Sequence, residues 1–190
     1  YSLEGTWKIS PVAAALTVGP NQGSSEWWSN DSESIVTRAC FFDDTYVFNG
    51  DGSFENILGD ETWLESWQGV SEGCGAPVAP HDGTNPATWA YDSEANTITI
   101  NGLGAYLGLP KVHNSGEDGT PADDTITYTV TSISESAMTI DINFGAGWWR
   151  FLMSRETTAG LNDNLYNKVT MFPNPVNHYL SFSTNSNENL

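Results

Sequence analysis

The sequence predicts an all-β domain, either an antiparallel β-barrel or a two-sheet β-sandwich with long loops. Three observations point there. Short runs rich in Val, Ile, Thr, Tyr and Phe recur at close spacing, turn residues punctuate them, and helical periodicity is almost wholly missing. The run 5–10 (GTWKIS) opens the domain. The runs 34–42 (SIVTRACFF) and 44–58 follow, and the second carries Asn49-Gly50-Asp51-Gly52, a tight hairpin turn between TYVF and SFENIL. Residues 87–102 make another hairpin, turning near Glu94-Ala95-Asn96, and 124–144 a third, turning near Ser134–Ser136. Ile98 and Ile100, and then Ile126, Tyr128 and Val130, alternate with polar residues as half-buried strands do.

The run 147–156 (GWWRFLMSRE) closes the set. It sets Trp148 beside Trp149, and successive strand side chains point to opposite faces. One indole therefore fills a core and its neighbour faces outward. The stretch 61–69 (ETWLESWQG) is the best helical candidate, with Trp63 and Trp67 at i, i+4 on one face. Three long irregular stretches, 11–33, 59–86 and 103–123, are rich in Gly, Pro and Asn. Connections of this length in a compact domain are functional or disordered. These hold Trp27, Trp28, Trp63, Trp67 and Tyr106, which disordered segments lack.

The 190 residues allow one main domain plus a small appendage. Six Lys+Arg against 24 Asp+Glu give a formal net charge of −18. That balance argues against nucleic acid, whose phosphates demand Lys and Arg, and against an anionic membrane surface. Neutral glycans, cations or plain solubility in salty water fit better. No apolar run approaches the ~20 residues that a membrane-spanning helix needs. The chain begins inside a first strand with no visible signal peptide, so it is expected to be cut from a longer protein. Cys40 and Cys74 form neither a CxxC nor a zinc pattern. They are a disulfide, which implies secretion, or two free thiols.

Sugars offer C–H faces that stack on flat aromatic rings, and hydroxyls that want amides and carboxylates alongside. Trp27, Trp28, Trp63, Trp67 and Trp149 are the candidate ligand-binding rings, with Glu61, Glu65 and Gln68 as their polar neighbours and Gln22, Glu26 and Asn30 near the first pair. Tyr106 and His113 are candidates for the same rim. The competing reading is that these indoles only seal the ends of the domain. Glu61 and Glu65 could be imagined as a glycosidase pair, but on a helix they are solvated neighbours of the tryptophans. His81-Asp82 has no serine or cysteine nucleophile motif with it. Histidines scattered at 81, 113 and 178 argue against zinc, and GLGAYLG lacks the helix that a phosphate loop needs. No catalytic residue and no cofactor is expected. The metal state stays open: Asp43-Asp44 and 49–53 carry the oxygen ligands that calcium takes, although the second is more simply a hairpin turn.

From about Thr157 the character changes. Residues 157–168 read as a linker, and 169–183 (VTMFPNPVNHYLSFS) begin something new. Met171-Phe172-Pro173-Asn174-Pro175-Val176, continued by Tyr179, Leu180 and Phe182, resembles the opening of the C-terminal sorting domain of type IX secretion in Bacteroidetes. Residues 169–190 would be its truncated start. This resemblance implies export to the cell surface or medium.

In the main domain, LEGTWKI (3–9), YVFNGDGSF (46–54) and GWWRFLMSRE (147–156) resemble the lipocalin-like, calycin-type barrels of Bacteroidetes. There a first-strand tryptophan packs at the closed end of the barrel near an arginine of the last strand. Trp7 with Arg150 or Arg155 would take those parts, a guanidinium lying on an indole face. Most of residues 1–156, from GTWKISPVAAALTVGPNQGSSEWWS to INFGAGWWRF, is similar to an accessory domain of secreted flavobacterial proteins that recurs beside laminarinase-like glycoside hydrolases. This similarity implies a noncatalytic carbohydrate-binding module over 1–156, with polysaccharide as partner, laminarin-like β-1,3-glucan as first candidate, and a catalytic domain in the same parent chain. The alternatives are a structural or adhesive surface module, and a carrier of a small apolar ligand.

Overall fold

The computed structural model describes residues 2–118, 122–156, 170–172 and 181–183. The chain divides into two compact units, Tyr1–Glu156 and Thr157–Leu190. The first unit opens with β1 (Gly5–Ile9), β2 (Leu16–Gly19) and β3 (Trp28–Ser29), followed by two short helices, α1 (Ser32–Thr37) and α2 (Ala39–Phe42). Then come β4 (Thr45–Phe48), β5 (Ser53–Ile57), β6 (Thr62–Leu64), a 3-10 turn (Ser66–Gln68), β7 (Gly73–Gly75), β8 (Ala87–Asp92) and β9 (Thr97–Asn101). The unit ends with β10 (Val112–His113), β11 (Gly116–Glu117), β12 (Thr125–Ile133), β13 (Ala137–Asn143) and β14 (Trp148–Arg155).

Eight of these strands pair antiparallel in the order β1-β4-β5-β8-β9-β12-β13-β14, and β14 returns to β1. Trp7 is opposite Tyr46 across one edge of β1 and opposite Arg155 across the other. The sheet is therefore a closed barrel, which removes the sandwich alternative. Closure also leaves none of the eight with a free edge for stray pairing.

The two-residue alternation explains the interior. Ile98 and Ile100 on β9, Ile126, Tyr128 and Val130 on β12, Met138, Ile140 and Ile142 on β13, and Trp149, Phe151 and Met153 on β14 are all buried. Each fully buried aliphatic or aromatic side chain of this size contributes about 1.5–3 kcal/mol. The register sorts the connections. Asn49–Gly52, the turn after Asp92 and the turn at Ser134–Ser136 lie at one end with Arg155. The connections β2–β4, β5–β8 and β9–β12 all leave from the other end, which is called the open end below.

At the closed end Trp7 is fully buried and its Nε1 donates to the Leu3 carbonyl at 2.8 Å. Arg155, not Arg150, covers its ring, with the guanidinium carbon 4.3 Å from the centroid. Arg155 also donates to the carbonyls of Ser2, Glu4 and Glu135. Arg150 lies on the outer face and grips Asp141 with two hydrogen bonds, Nε to Oδ1 at 2.7 Å and Nη2 to Oδ2 at 2.9 Å.

At the open end the segment Gly104–Leu109 runs buried across the barrel. Interior side chains meet its backbone. Tyr46 Oη donates to Gly108 O at 3.0 Å, Leu107 N donates to Tyr128 Oη at 2.9 Å, and Asn56 Nδ2 donates to Tyr106 O at 2.9 Å. A buried backbone group needs such a partner. Ala105, Tyr106, Leu107 and Leu109 of this plug belong to the same buried core as the interior side chains of the strands.

Several segments differ from their sequence reading. The run 34–42 is not a strand but α1 and α2, because the Asp31 side chain caps the first helix, accepting from Ser34 N at 2.8 Å. The stretch 61–69 is not a helix. Thr62–Leu64 pairs with β7, Glu65 is extended, and only Ser66–Gln68 turns helically. Trp63 and Trp67 therefore do not share a helical face. The irregular stretch 11–33 contains β2, which pairs with the first half of β14 while β1 pairs with the second half. All four β2 residues are buried, Thr17 included, and a run of only four residues between Gly- and Pro-rich flanks is too short for its period to mark it as a strand.

In the second unit, β15 (Thr170–Phe172) and β16 (Ser181–Ser183) pair antiparallel. Residues 157–169 and 173–180, with the Pro173-Asn174-Pro175 motif, Tyr179 and Leu180, lie outside the described residues.

Candidate functional site

The loops of the open end carry the exposed tryptophans. Trp27 is 51% exposed, and its six-membered ring rests on Gly147, where a Cβ would stand 2.5 Å from the ring. Trp28, 37% exposed, is paired with Val18 in the β2–β3 ladder. Its ring lies 5.9 Å from that of Trp149, and Trp149 stacks on Phe151 at 6.1 Å, so an aromatic column runs from solvent into the core. Trp149 is the buried member of its pair, 6% exposed, with Nε1 donating to Glu117 Oε1 at 2.7 Å. Its ring supports Trp28 and offers no face to solvent. Trp148 is the half-buried, outward one. Tyr106, only 2% exposed, belongs to the plug and likewise presents no platform.

Arg38 stands at the junction of α1 and α2 with its guanidinium carbon 4.6 Å from the Trp63 centroid and 6.0 Å from that of Trp28. The disulfide Cys40–Cys74 sets this geometry. Cys74 is opposite Trp63 in the β6–β7 ladder, and Cys40 follows Arg38 by two residues, so the bond ties the arginine's helix to the tryptophan's strand. The disulfide decides between the two readings of the cysteines.

The other described basic side chains are engaged: Lys8 with Glu156, Lys111 with Glu65, Arg150 with Asp141, and Arg155 with carbonyls. Among the described residues Arg38 alone of them has neither a carboxylate nor a carbonyl partner. It lines a surface cleft of about 290 Å³ with Asp31, Glu33, Ser34, Thr37, Trp63 and Glu72. A guanidinium is a fixed fork of donors and cannot deprotonate. Glu33 and Glu72 add acceptors.

The remaining predicted residues lie elsewhere, all but the 49–53 turn on this end. Glu65 is committed, accepting from Lys111 Nζ and from Trp67 Nε1, each at 3.1 Å. Glu61 is exposed and lines a shallow hollow beside the disulfide with Asp60 and Ile57. Gln68 Oε1 accepts from Glu65 N at 2.9 Å. Trp67 is half-buried against His81, ring centroids 5.6 Å apart. His113 Nδ1 lies 2.9 Å from Ser115 Oγ and 3.1 Å from Asp123 Oδ2. Asp51 in the 49–53 turn is occupied by the Ser53 amide and hydroxyl, which hold its pKa below the usual range. Among the described residues no three His, Cys, Asp or Glu side chains are grouped to hold a metal ion.

One buried acid lies under the site. Asp44 is 1% exposed. Its Oδ2 accepts from the Thr62 hydroxyl at 2.6 Å, and its Oδ1 has no partner among the described residues. Burial pushes its pKa up to about 8; the neighbouring Asp43 charge adds to the rise and the Thr62 hydrogen bond opposes it.

No family model matches the chain, and no curated protein matches it. Among solved structures, an uncharacterized protein from Bacteroides eggerthii is similar over 82% of this chain and 100% of that one, at 12% identity and a TM-score of 0.37.

Sequence reasoning passed over Arg38. The available signal was scarcity: in a chain with six Lys+Arg against 24 Asp+Glu, each cation needs a reason. Nothing in the sequence brought it to Trp63, because that contact depends on the cross-link between α2 and β7.

Proposed function

We propose that the first unit is a noncatalytic carbohydrate-binding module that takes a neutral glycan at the open end of the barrel. Trp27 and Trp28 stack on sugar rings, and Arg38 with Glu33 and Glu72 meets the hydroxyls beside them. The observation that carries this reading is the company of Arg38: an arginine with no carboxylate partner among the described residues, held by indoles over an acid-lined cleft, next to two exposed tryptophans. Exposed aromatic surface of this kind marks a binding face. Three carboxylates around one cation favour a neutral polyol over an anionic one.

Laminarin-like β-1,3-glucan is the first ligand to test, on the strength of the sequence resemblance to accessory domains of polysaccharide-degrading proteins. In the same reading, the parent chain carries a catalytic domain and leaves the cell by type IX secretion. The disulfide supports an oxidising compartment.

Affinity electrophoresis against a panel of neutral and acidic polysaccharides tests the proposal. A neutral glycan should retard the protein and quench tryptophan fluorescence, and Trp27→Ala should weaken the retardation about tenfold, or ~1.4 kcal/mol. No retardation and no quenching with any glycan would overturn it. Concentration-dependent self-association without glycan binding would favour the adhesive reading instead.

A further inference from the structure

A second concavity of about 120 Å³ lies at the open end, lined by Trp67, Gln68, Val78, Ala79, Pro80, His81 and Ala122. At ~30 Å³ per liquid water it holds about four water volumes, enough for a small substituent and too little for a whole sugar ring. Its walls are apolar apart from two side chains, and each of those has one end already fixed. His81, 9% exposed, places Nδ1 3.2 Å from Gly104 O, so Nδ1 carries the proton and donates. Burial keeps the ring neutral by lowering its pKa. Nε2, which has no partner among the described residues, is then an acceptor. Gln68 spends its Oε1 on the Glu65 amide, which leaves its Nε2 amino group as a donor without a partner among the described residues. The Trp67 ring, steadied by its Nε1 bond to Glu65, supplies a flat wall.

We propose that this pocket binds the acetamido group of an N-acetylated amino sugar. The amide N–H donates to His81 Nε2, the carbonyl accepts from Gln68 Nε2, and the methyl meets Val78, Ala79 and Ala122. The sugar ring remains outside against Trp67. A hydroxyl can donate to His81 Nε2 or accept from Gln68 Nε2, but it brings no methyl group to Val78, Ala79 and Ala122 and leaves most of the 120 Å³ to water. The assignment to a sugar rests on the glycan-binding reading, whereas the acetamido chemistry does not.

NMR titration of the 15N-labelled protein decides the matter. The probes are N-acetylglucosamine, glucosamine, glucose, N-methylacetamide and an Nε-acetyl-lysine peptide. Expected are shifts of the Trp67 indole and His81 ring signals with N-acetylglucosamine and N-methylacetamide, and none with glucose or glucosamine. Gln68→Glu keeps the acceptor that Glu65 N needs and removes the donor, so it should weaken N-acetylglucosamine binding at least tenfold. His81→Phe should do the same, and Gln68→Glu stands in for it if the phenyl variant does not fold. Equal response to glucose and N-acetylglucosamine, or no response to either amide, would sink the proposal. Tighter binding of the acetyl-lysine peptide than of the sugar would overturn the sugar assignment. Retardation by a polysaccharide through Trp27, with no response at Trp67, would overturn this inference and leave the function proposed above intact.

Discussion

Trp27 and Trp149 lie close together in the fold and do opposite work. Trp149 is built into the column that supports Trp28, while Trp27 presents its ring to solvent because Gly147 lets it lie flat. Gly147→Ala should therefore displace Trp27 without altering any aromatic residue. The expected result is a weakened mobility shift on glycan gels and a somewhat lower thermal midpoint, because the same Cβ would also stand 2.7 Å from the Gly19 carbonyl oxygen. Asp44 makes a different prediction. The unfolded chain releases this proton near the usual 3.8, and the folded chain holds it to about 8. Between those values the folded state binds more protons, so this group's contribution to stability falls by about 1.4 kcal/mol per pH unit as the pH rises, and levels off above the window. Asp44→Asn removes the titration. Urea unfolding from pH 4 to 8 should show the variant gaining on the parent as the pH rises; parallel curves would refute the assignment.

The disulfide and the plug carry the consequences at the level of elements. Cys40 and Cys74 are 34 positions apart. Closing a loop of that length is worth about 3–4 kcal/mol in the chain-entropy account. Reduction, or Cys74→Ser, should lower the denaturation midpoint accordingly. It should also weaken glycan binding, because α2 would no longer hold Arg38 against Trp63. The plug depends on close backbone approach. At Gly104, with φ +77°, a Cβ would stand 1.9 Å from Pro80 O. Gly104→Ala should destabilise the domain by more than ~1 kcal/mol, read by thermal melting.

The elements that were legible in the sequence are those with one wet face. β9 and β12 alternate apolar and polar residues because one side meets solvent or a loop and the other the core, whereas β14 alternates in burial and keeps apolar Trp148 and Leu152 on its outward side. β2 is buried on both sides and α1 depends on an aspartate cap just ahead of an apolar run, so period alone misassigned both. The stretch around Trp63 has helical spacing, yet its ladder with the Cys74 strand outweighs that preference.

For the whole molecule, the closed sheet and its core lie within Tyr1–Glu156. A fragment of residues 1–156 should fold cooperatively and retain the glycan mobility shift of the full chain. The net charge of −18 adds a further expectation. Binding of a neutral glycan releases no counterions, so its affinity should change by less than about twofold between low and high salt; steep salt dependence would mean an ionic ligand.

Alternating side chains, turn residues and aromatic loops were sufficient, in one dimension, to specify an all-β domain with tryptophans in its long connections, since each of these is a local property of the chain. Which edge closes on which, that Arg155 rather than Arg150 covers Trp7, that Trp149 is buried while Trp27 is open, and that Arg38 meets Trp63 were settled only by folding. Those contacts join residues far apart in sequence, and barrel closure and one cross-link bring them together where no local pattern could.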